Sequence, residues 1–284
     1  MSLQARVLDG IRKWIRPGWR ASLVSGSVYA ILCVIRPRRS VAIANMETAF
    51  PDSTPAWRRK NLSRVYRHFA SILAEYLAVQ NDPSIVLKWF VECEGKEYLD
   101  RQISAGKGAV LLMSHFGNWE LMAAWLVQNG FPVYGVIQNP SDPGLAELID
   151  RYRKNIGGKP IPKRFMLREP VKRLKEGKMV VVAGDQNWGG RGALRIPFFG
   201  KECGTASGPA SFAILADVPL VPVAAFRLGS FSYRMEIGPP INEPPSGTRE
   251  EKVLEMTSAA NRWTESIIKK APEQWLWMHR RWRN

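Results

Sequence analysis

Val110-Leu111-Leu112-Met113-Ser114-His115-Phe116-Gly117-Asn118-Trp119-Glu120 is the stretch whose reading decides the fold. The apolar run from Ala109 to Met113 has the length and bulk of a buried strand. It stops at Ser114-His115. Gly117 supplies a turn, Asn118 a helix N-cap, and Trp119-Glu120 open an apolar helix through Val127. His115 therefore falls at the carboxyl end of a parallel strand, the edge at which open α/β sheets bind ligands, and Glu120 in the first turn of the next helix. On one continuous helix a five-residue separation sets side chains about 140° apart. Across a strand–turn–helix junction the chain can bring them together. A carboxylate beside an imidazole fixes its tautomer and stabilises the imidazolium, so His115 and Glu120 form a candidate general-base pair acting on a hydroxyl. A His near a Glu is also an ordinary structural hydrogen bond, and the residues alone leave both readings open.

Around this stretch the chain alternates strands and helices. Phe90–Glu94 reads as a short strand, 95–105 as a helix, and Gly106-Lys107-Gly108 launches the central strand. Residues 132–138 form the next strand, Leu145–Asn155 a helix, 160–163 a short strand, Arg168–Lys175 a basic helix and Lys178–Ala183 another buried strand. This βαβ rhythm predicts an α/β fold with a central, mostly parallel sheet flanked by helices. Upstream, residues 55–79 read as one helix, with Leu62, Val65, Tyr66, Phe69, Ile72, Leu73, Tyr76 and Leu77 at helical spacing. His68 beside that stripe reads as structural. Downstream, Gly204–Ala210 begins a helix to about Ala216 whose small residues and free N–H groups admit a chain or a phosphate, which makes Thr205 a candidate contact. Val218–Phe226 is a strand whose Pro219 and Pro222 suggest a sheet edge or a strand start. Ser232–Ile237 continues the sheet, and 250–270 is an amphipathic helix.

The 284 residues suffice for one large domain or one domain with a small appendage, and 45% hydrophobic content supports a sizeable core. Three cysteines without a CxxC pair indicate neither a zinc site nor a disulfide framework, and no ligand cluster suggests another metal. The net charge of +16 calls for polyanionic partners: nucleic acid, an anionic membrane surface, phosphorylated lipid or an acidic protein. Eleven tryptophans among the basic residues suit a membrane interface, and no nucleic-acid-binding motif is present, so nucleic acid is not expected as a partner. Residues 1–40 carry eight Lys/Arg against one acid, with fifteen uncharged residues, Ala21 to Ile35, between basic flanks. Crossing a bilayer takes about 20 apolar residues. The segment 1–40 therefore reads as a monotopic hairpin or amphipathic anchor ahead of a catalytic domain spanning 41–284, the alternative being a core helix with basic caps.

Four separated motifs carry a family resemblance over nearly the whole chain. Ser114–Glu120 resembles the His-x-x-x-x-Asp/Glu signature of the late acyltransferases of lipid A biosynthesis, and the mycobacterial phosphatidylinositol mannoside acyltransferases are similar. Asn45-Met46-Glu47-Thr48-Ala49-Phe50-Pro51 resembles the family's Asn-Leu-x-x-Ala-Phe-Pro. Asp185-Gln186-Asn187, followed by Ile196-Pro197-Phe198-Phe199-Gly200, resembles its Asp-Gln-Asp and Val-Pro-Phe-Phe-Gly run. Pro272-Glu273-Gln274-Trp275-Leu276-Trp277-Met278-His279-Arg280-Arg281-Trp282 resembles its terminal segment. The resemblance implies a glycerolipid-acyltransferase-like fold and transfer of a fatty acyl group from a thioester, on acyl carrier protein or coenzyme A, to a hydroxyl of a membrane glycolipid such as a lipid A precursor. It implies no cofactor, and a location on the cytoplasmic face of the bacterial inner membrane.

In that reaction His115 is the base and Glu120 orients it, with backbone N–H groups after His115 as candidates for the oxyanion. Asn118, Gln138, Arg153, Asp185, Gln186 and Thr205 are candidate substrate contacts. Gln138 stands where the family usually has Arg, which removes a cation from the expected pocket rim. Asp185 is expected to hold Arg153 by a charge-assisted bond. The tail, rich in Trp and Arg, is expected to form an interfacial surface or a head-group clamp, with His279 as an anchor. Two other functions fit the same residues: an acyl thioester hydrolase, and a non-catalytic basic membrane-binding protein.

Overall fold

A computed structural model describes residues 2–137, 142–162, 165–166, 168–190 and 192–283. The chain opens with helices α1 (Leu3–Trp14), α2 (Trp19–Ile35), α3 (Arg39–Ala49) and α4 (Pro55–Val79). Thr54 caps α4 through its side chain, and Pro55 occupies the first turn, where a missing N–H costs nothing. There follow α5 (Val86–Trp89), β1 (Phe90–Glu94), α6 (Lys96–Ser104), β2 (Ala109–Met113), α7 (Trp119–Gln128), β3 (Val133–Ile137), α8 (Pro143–Asn155), β4 (Lys159–Pro162), α9 (Glu169–Lys175) and β5 (Met179–Ala183). A hairpin of β6 (Ala193–Phe198) and β7 (Lys201–Ala206) precedes α10 (Gly208–Ala216), β8 (Leu220–Gly229), β9 (Ser232–Ile237) and α11 (Arg249–Lys270).

Among the described residues the main sheet has seven strands in the order β1-β9-β8-β2-β5-β3-β4. Strands β8, β2, β5, β3 and β4 run parallel; β9 is antiparallel to β8, and β1 is parallel to β9. This is the α/β, mostly parallel architecture that the alternation of elements predicts. β2 and β5 sit centrally because Ala-Val-Leu-Leu-Met and Met-Val-Val-Val-Ala are apolar on both faces. Alternation divides them between two cores. Leu111, Val181 and Val221 pack with α4 and α7, while Val110, Leu112, Val180 and Val182 pack with α10 and α11.

Two expectations are revised. Residues 201–206 form β7, and the helix begins only at Gly208. The hairpin turn Phe199-Gly200 has both residues at positive φ, 51° and 74°, which matches the twist of a two-residue connection. Phe199 tolerates this because its N–H donates to Glu265 Oε1 at 2.7 Å and its ring packs on Phe50 and Phe198. Second, β8 is an interior strand despite its prolines. Pro222 is the last residue paired with β2, and the β9 ladder begins at Val223, so the missing N–H falls where one ladder hands over to the other. The N-terminal segment forms two helices that pack on the body, α2 against α4 and α1 against α4 and α8. Among the described residues no helix is long and apolar enough to cross a membrane.

Leu111 is fully buried in the central strand. Leu111→Ala is expected to cost about 2–5 kcal/mol through lost burial and the cavity left behind. A urea unfolding midpoint measured against the parent protein checks this.

Candidate active site

The site begins with register. β2 and β5 lie side by side with Met113 opposite Ala183. Two residues further along each strand, His115 and Asp185 emerge together at the carboxyl edge of the sheet, although 70 positions separate them. Asp185 grips His115 at two points. Its Oδ2 accepts the backbone N–H of His115 at 2.8 Å, and its Oδ1 accepts from ring Nδ1 at 2.9 Å. Indole Nε1 of Trp275 donates to Oδ2 at 2.8 Å. Asp185 is only 3% exposed. Burial favours its neutral form, but the facing imidazole and these donors outweigh it and hold the carboxyl below its ordinary range. Burial likewise opposes charge on His115, yet Asp185 and, more distantly, Glu120 raise its pKa above the ordinary 6.5. With Nδ1–H committed to Asp185, Nε2 carries the lone pair.

The turn after His115 is pinned on all sides. Leu276 N–H donates to His115 O at 3.0 Å, and Gly117 N–H to Gln274 O at 2.9 Å. Asn118 N–H reaches Ala225 O at 3.4 Å. His68 Nε2–H donates to Gly117 O at 3.1 Å. Burial pushes the His68 pKa down to about 3, so the ring stays neutral and structural, as its place beside the apolar stripe predicts. Gly117 has φ +60°, and a Cβ there would meet Ala225 O at 1.7 Å, so a side chain is excluded.

Several assignments change. Nδ1 of His115 is met by Asp185 and not by Glu120. Glu120 pairs instead with Arg153, at 2.6 Å and 3.3 Å, so the two carboxylates exchange the partners expected from sequence. Asn118 caps α7 by accepting from Leu121 N–H, donates to the Tyr233 hydroxyl, and is buried, so both ends of its amide are engaged within the fold. Thr205 lies on β7, where it is buried and accepts from Arg281 at 2.7 Å. Gln186 places its side-chain amide 3.4 Å from His115 Nε2. Gln138 lies outside the described residues. The backbone N–H groups of His115, Gly117 and Asn118 are already donated, so they are not free for an oxyanion.

The tail is also revised. Trp275, Trp277 and Arg281 are wholly buried, so this stretch is a strap through the core and not an interfacial surface. α3 holds it down through Asn45, which donates to the carbonyls of Trp277 and His279. His279 Nε2 accepts the Asn187 N–H at 3.1 Å, an anchoring contact that needs the neutral ring, and burial lowers its pKa. Sequence reasoning missed a buried cluster behind the turn. Glu75 accepts from Arg227 at 2.9 Å, from Phe231 N–H at 3.1 Å and from the Tyr233 hydroxyl that holds Asn118. Its one signal was a Glu at an apolar-face position of α4.

A partly exposed imidazole held by a buried carboxylate at a sheet edge, with an amide beside its free nitrogen, is an arrangement that can serve as a general base. Residues 17–284 match the family described as bacterial lipid A biosynthesis acyltransferase, and the chain belongs to that family. It is accordingly an O-acyltransferase. It is 29% identical to a lipid A biosynthesis palmitoleoyltransferase of Escherichia coli K12, over 88% of this chain and 80% of the relative. A lipid A biosynthesis lauroyltransferase of the same organism is 28% identical with the same coverage. A phosphatidylinositol mannoside acyltransferase of Mycolicibacterium smegmatis is 27% identical over 66% of this chain and 60% of the relative.

The Glu120–Arg153 pair is partly buried, with side chains 18% and 22% exposed. Glu120→Gln leaves the guanidinium without its counter-charge and is expected to cost about 1–3 kcal/mol. Adding Arg153→Met is expected to recover part of that loss, which a double-mutant cycle of unfolding midpoints reads directly.

Proposed function

We propose that this chain transfers a fatty acyl group from a thioester, on acyl carrier protein or coenzyme A, to a hydroxyl of a lipid A precursor, using His115 as general base. The observation that carries the reading is the Asp185–His115 pair, which leaves Nε2 basic and directed away from its carboxylate. Nε2 takes the proton of the acceptor hydroxyl as its oxygen attacks the thioester carbonyl. A C–O bond forms, the C–S bond breaks, and the departing thiolate recovers the proton from the imidazolium. No acyl-enzyme forms. Asp185 stabilises the imidazolium while it exists. Glu120 and Arg153 brace α7 against α8, and Glu120 adds a second, longer-range negative field on the ring.

The family membership supports lipid A chemistry for the acceptor, and the names of the relatives accord with it. A place on the cytoplasmic face of the inner membrane is part of the same proposal. It is supported by the outer faces of α1 and α2, where Leu3, Val7, Trp19, Leu23, Ile31, Val34 and Ile35 are exposed. Exposed Arg6, Lys13, Arg16, Arg36, Arg38 and Arg39 flank them. Apolar side chains ringed by cations suit a helix pair lying on an anionic lipid surface.

The test is purified protein with lauroyl-coenzyme A or lauroyl-acyl carrier protein, with and without a lipid A precursor, followed by mass spectrometry of the lipid. A one-acyl gain on the precursor is expected. Thioester loss that ignores the precursor would replace this reading with hydrolysis. His115→Ala is expected to lower turnover by about 10²–10⁴-fold, the usual weight of a general base.

The pH dependence follows from the raised His115 pKa. The base works only when unprotonated, so the rate climbs as pH rises through a value above 6.5 and then levels. Asp185→Asn removes the charge that raises it. The limb should move to lower pH while the plateau falls, and rate profiles from pH 5 to pH 9 resolve the two effects.

A further inference from the structure

An acyl transfer of this kind places a negative charge on the former carbonyl oxygen, and some donor has to meet it. In this site the usual backbone source is closed. The N–H of His115 is bound to Asp185, that of Gly117 to Gln274 O and that of Asn118 to Ala225 O. Phe116 lies between the two hydrogen bonds that join the turn to the tail and makes neither with its own N–H; it is 1% exposed with its ring on Phe226, and this burial seals its backbone from an incoming thioester. Arg153 turns Nε and Nη2 to Glu120, and its remaining Nη1 is buried from solvent.

One neutral donor remains beside the reacting nitrogen. Gln186 Nε2 lies 3.4 Å from His115 Nε2. Because the imidazole proton sits on Nδ1 against Asp185, Nε2 presents a lone pair, and the amide face turned to it is the NH₂ and not the oxygen. The contact is long, and the side chain is only half-buried, so the amide is held near the ring without being consumed by it.

The backbone of Gln186 is fixed from below. Wholly buried Arg281 donates to Gln186 O at 3.5 Å and also to the Gly204 carbonyl and Thr205 Oγ1. The next residues are tied by Asn187 N–H to His279 and by Trp188 N–H to Gly204 O at 3.1 Å. Arg281 has no carboxylate within ion-pairing distance among the described residues, and burial lowers its pKa. Its hydrogen bonds go to the loop that carries Gln186.

We infer that Gln186 is a catalytic residue, whose side-chain N–H donates to the oxyanion formed when the acceptor oxygen attacks the thioester. The inference rests on the acyl-transfer reading. As the hydroxyl occupies His115 Nε2, the amide is released toward the adjacent carbonyl. The attacking oxygen's bond to carbon forms, the carbonyl π pair moves to oxygen and is met by the Gln186 N–H. When that pair returns, the C–S bond breaks and the thiolate takes the proton held on His115. The amide donates throughout and exchanges no proton.

The experiment measures kcat, KM and the pH profile with lauroyl-coenzyme A and a lipid A precursor for the parent protein, His115→Ala, Gln186→Leu and Gln186→Glu. Gln186→Leu keeps bulk and removes the donor. It is expected to lower kcat by about 10²–10³-fold, the weight of a single oxyanion donor, with KM and the position of the acid limb unchanged. Gln186→Glu keeps shape but sets a carboxylate where the negative charge develops, and is expected to lose at least as much. It also serves if the leucine variant fails to fold.

Parent-like kcat in either folded variant overturns the assignment, as does a loss that vanishes at high pH, since that would make Gln186 a tuner of the His115 pKa. A parent protein that acylates the precursor, with His115→Ala inactive and Gln186→Leu undiminished, removes this inference alone. A parent protein that transfers nothing removes the acyl-transfer reading and this inference together.

Discussion

A buried carboxylate is tolerated only when its charge is met, and the structure is built around meeting that of Asp185. Three N–H groups converge on it, from the backbone of His115, the ring of His115 and the indole of Trp275. Each comes from a different layer of construction. The backbone contact is a product of β2–β5 register, the ring contact fixes the tautomer, and the indole contact requires the tail to cross the sheet edge. Losing any one would leave a charge in the core without its full complement of donors. Holding the base therefore coincides with closing the fold.

The second acid does different work. Glu120 and Asp185 both raise the pKa of the same imidazole, but only Asp185 bonds to it. Glu120 is neutralised in place by Arg153. Such a division lets one carboxylate track the proton on the ring while the other sets the angle between α7 and α8. Behind them, His68 and the Glu75–Arg227–Tyr233 cluster stiffen the turn from the α4 side. The basic N-terminal helices are attached to that same scaffold, with Asp9 of α1 bonded to Arg151 and Tyr152 of α8.

Much of this was legible in the residues. Uniform apolar runs mark β2 and β5 as central because no other environment hides both faces of a strand. Gly117 and Asn118 announce the turn and the cap. Polar residues at two strand ends mark His115 and Asp185 separately. What sequence could not supply was which strands are neighbours. Without the β2–β5 register, the acid nearest in sequence, Glu120, looked like the partner, and Asp185 was left to pair with Arg153. The hairpin of β6 and β7 was hidden for another reason. Gly204-Thr205-Ala206 is short and small-sided, equally suited to a helix start, and only pairing with 193–198 makes it a strand. The tail misled by composition, since Trp and Arg signal an interface in the abstract, whereas here the guanidinium of Arg281 lies over Phe198 and bonds to carbonyls inside the core.

The strap also ties the site to the integrity of the tail. Residues 274–282 seat the indole on Asp185, cover the turn after His115 and lock the loop of Gln186. The seven strands can pair without them, but the carboxylate that steers His115 gains its indole donor only when this segment crosses the sheet edge. A break in the chain just ahead of the strap would therefore loosen the site while leaving the ladders of the sheet beneath it intact.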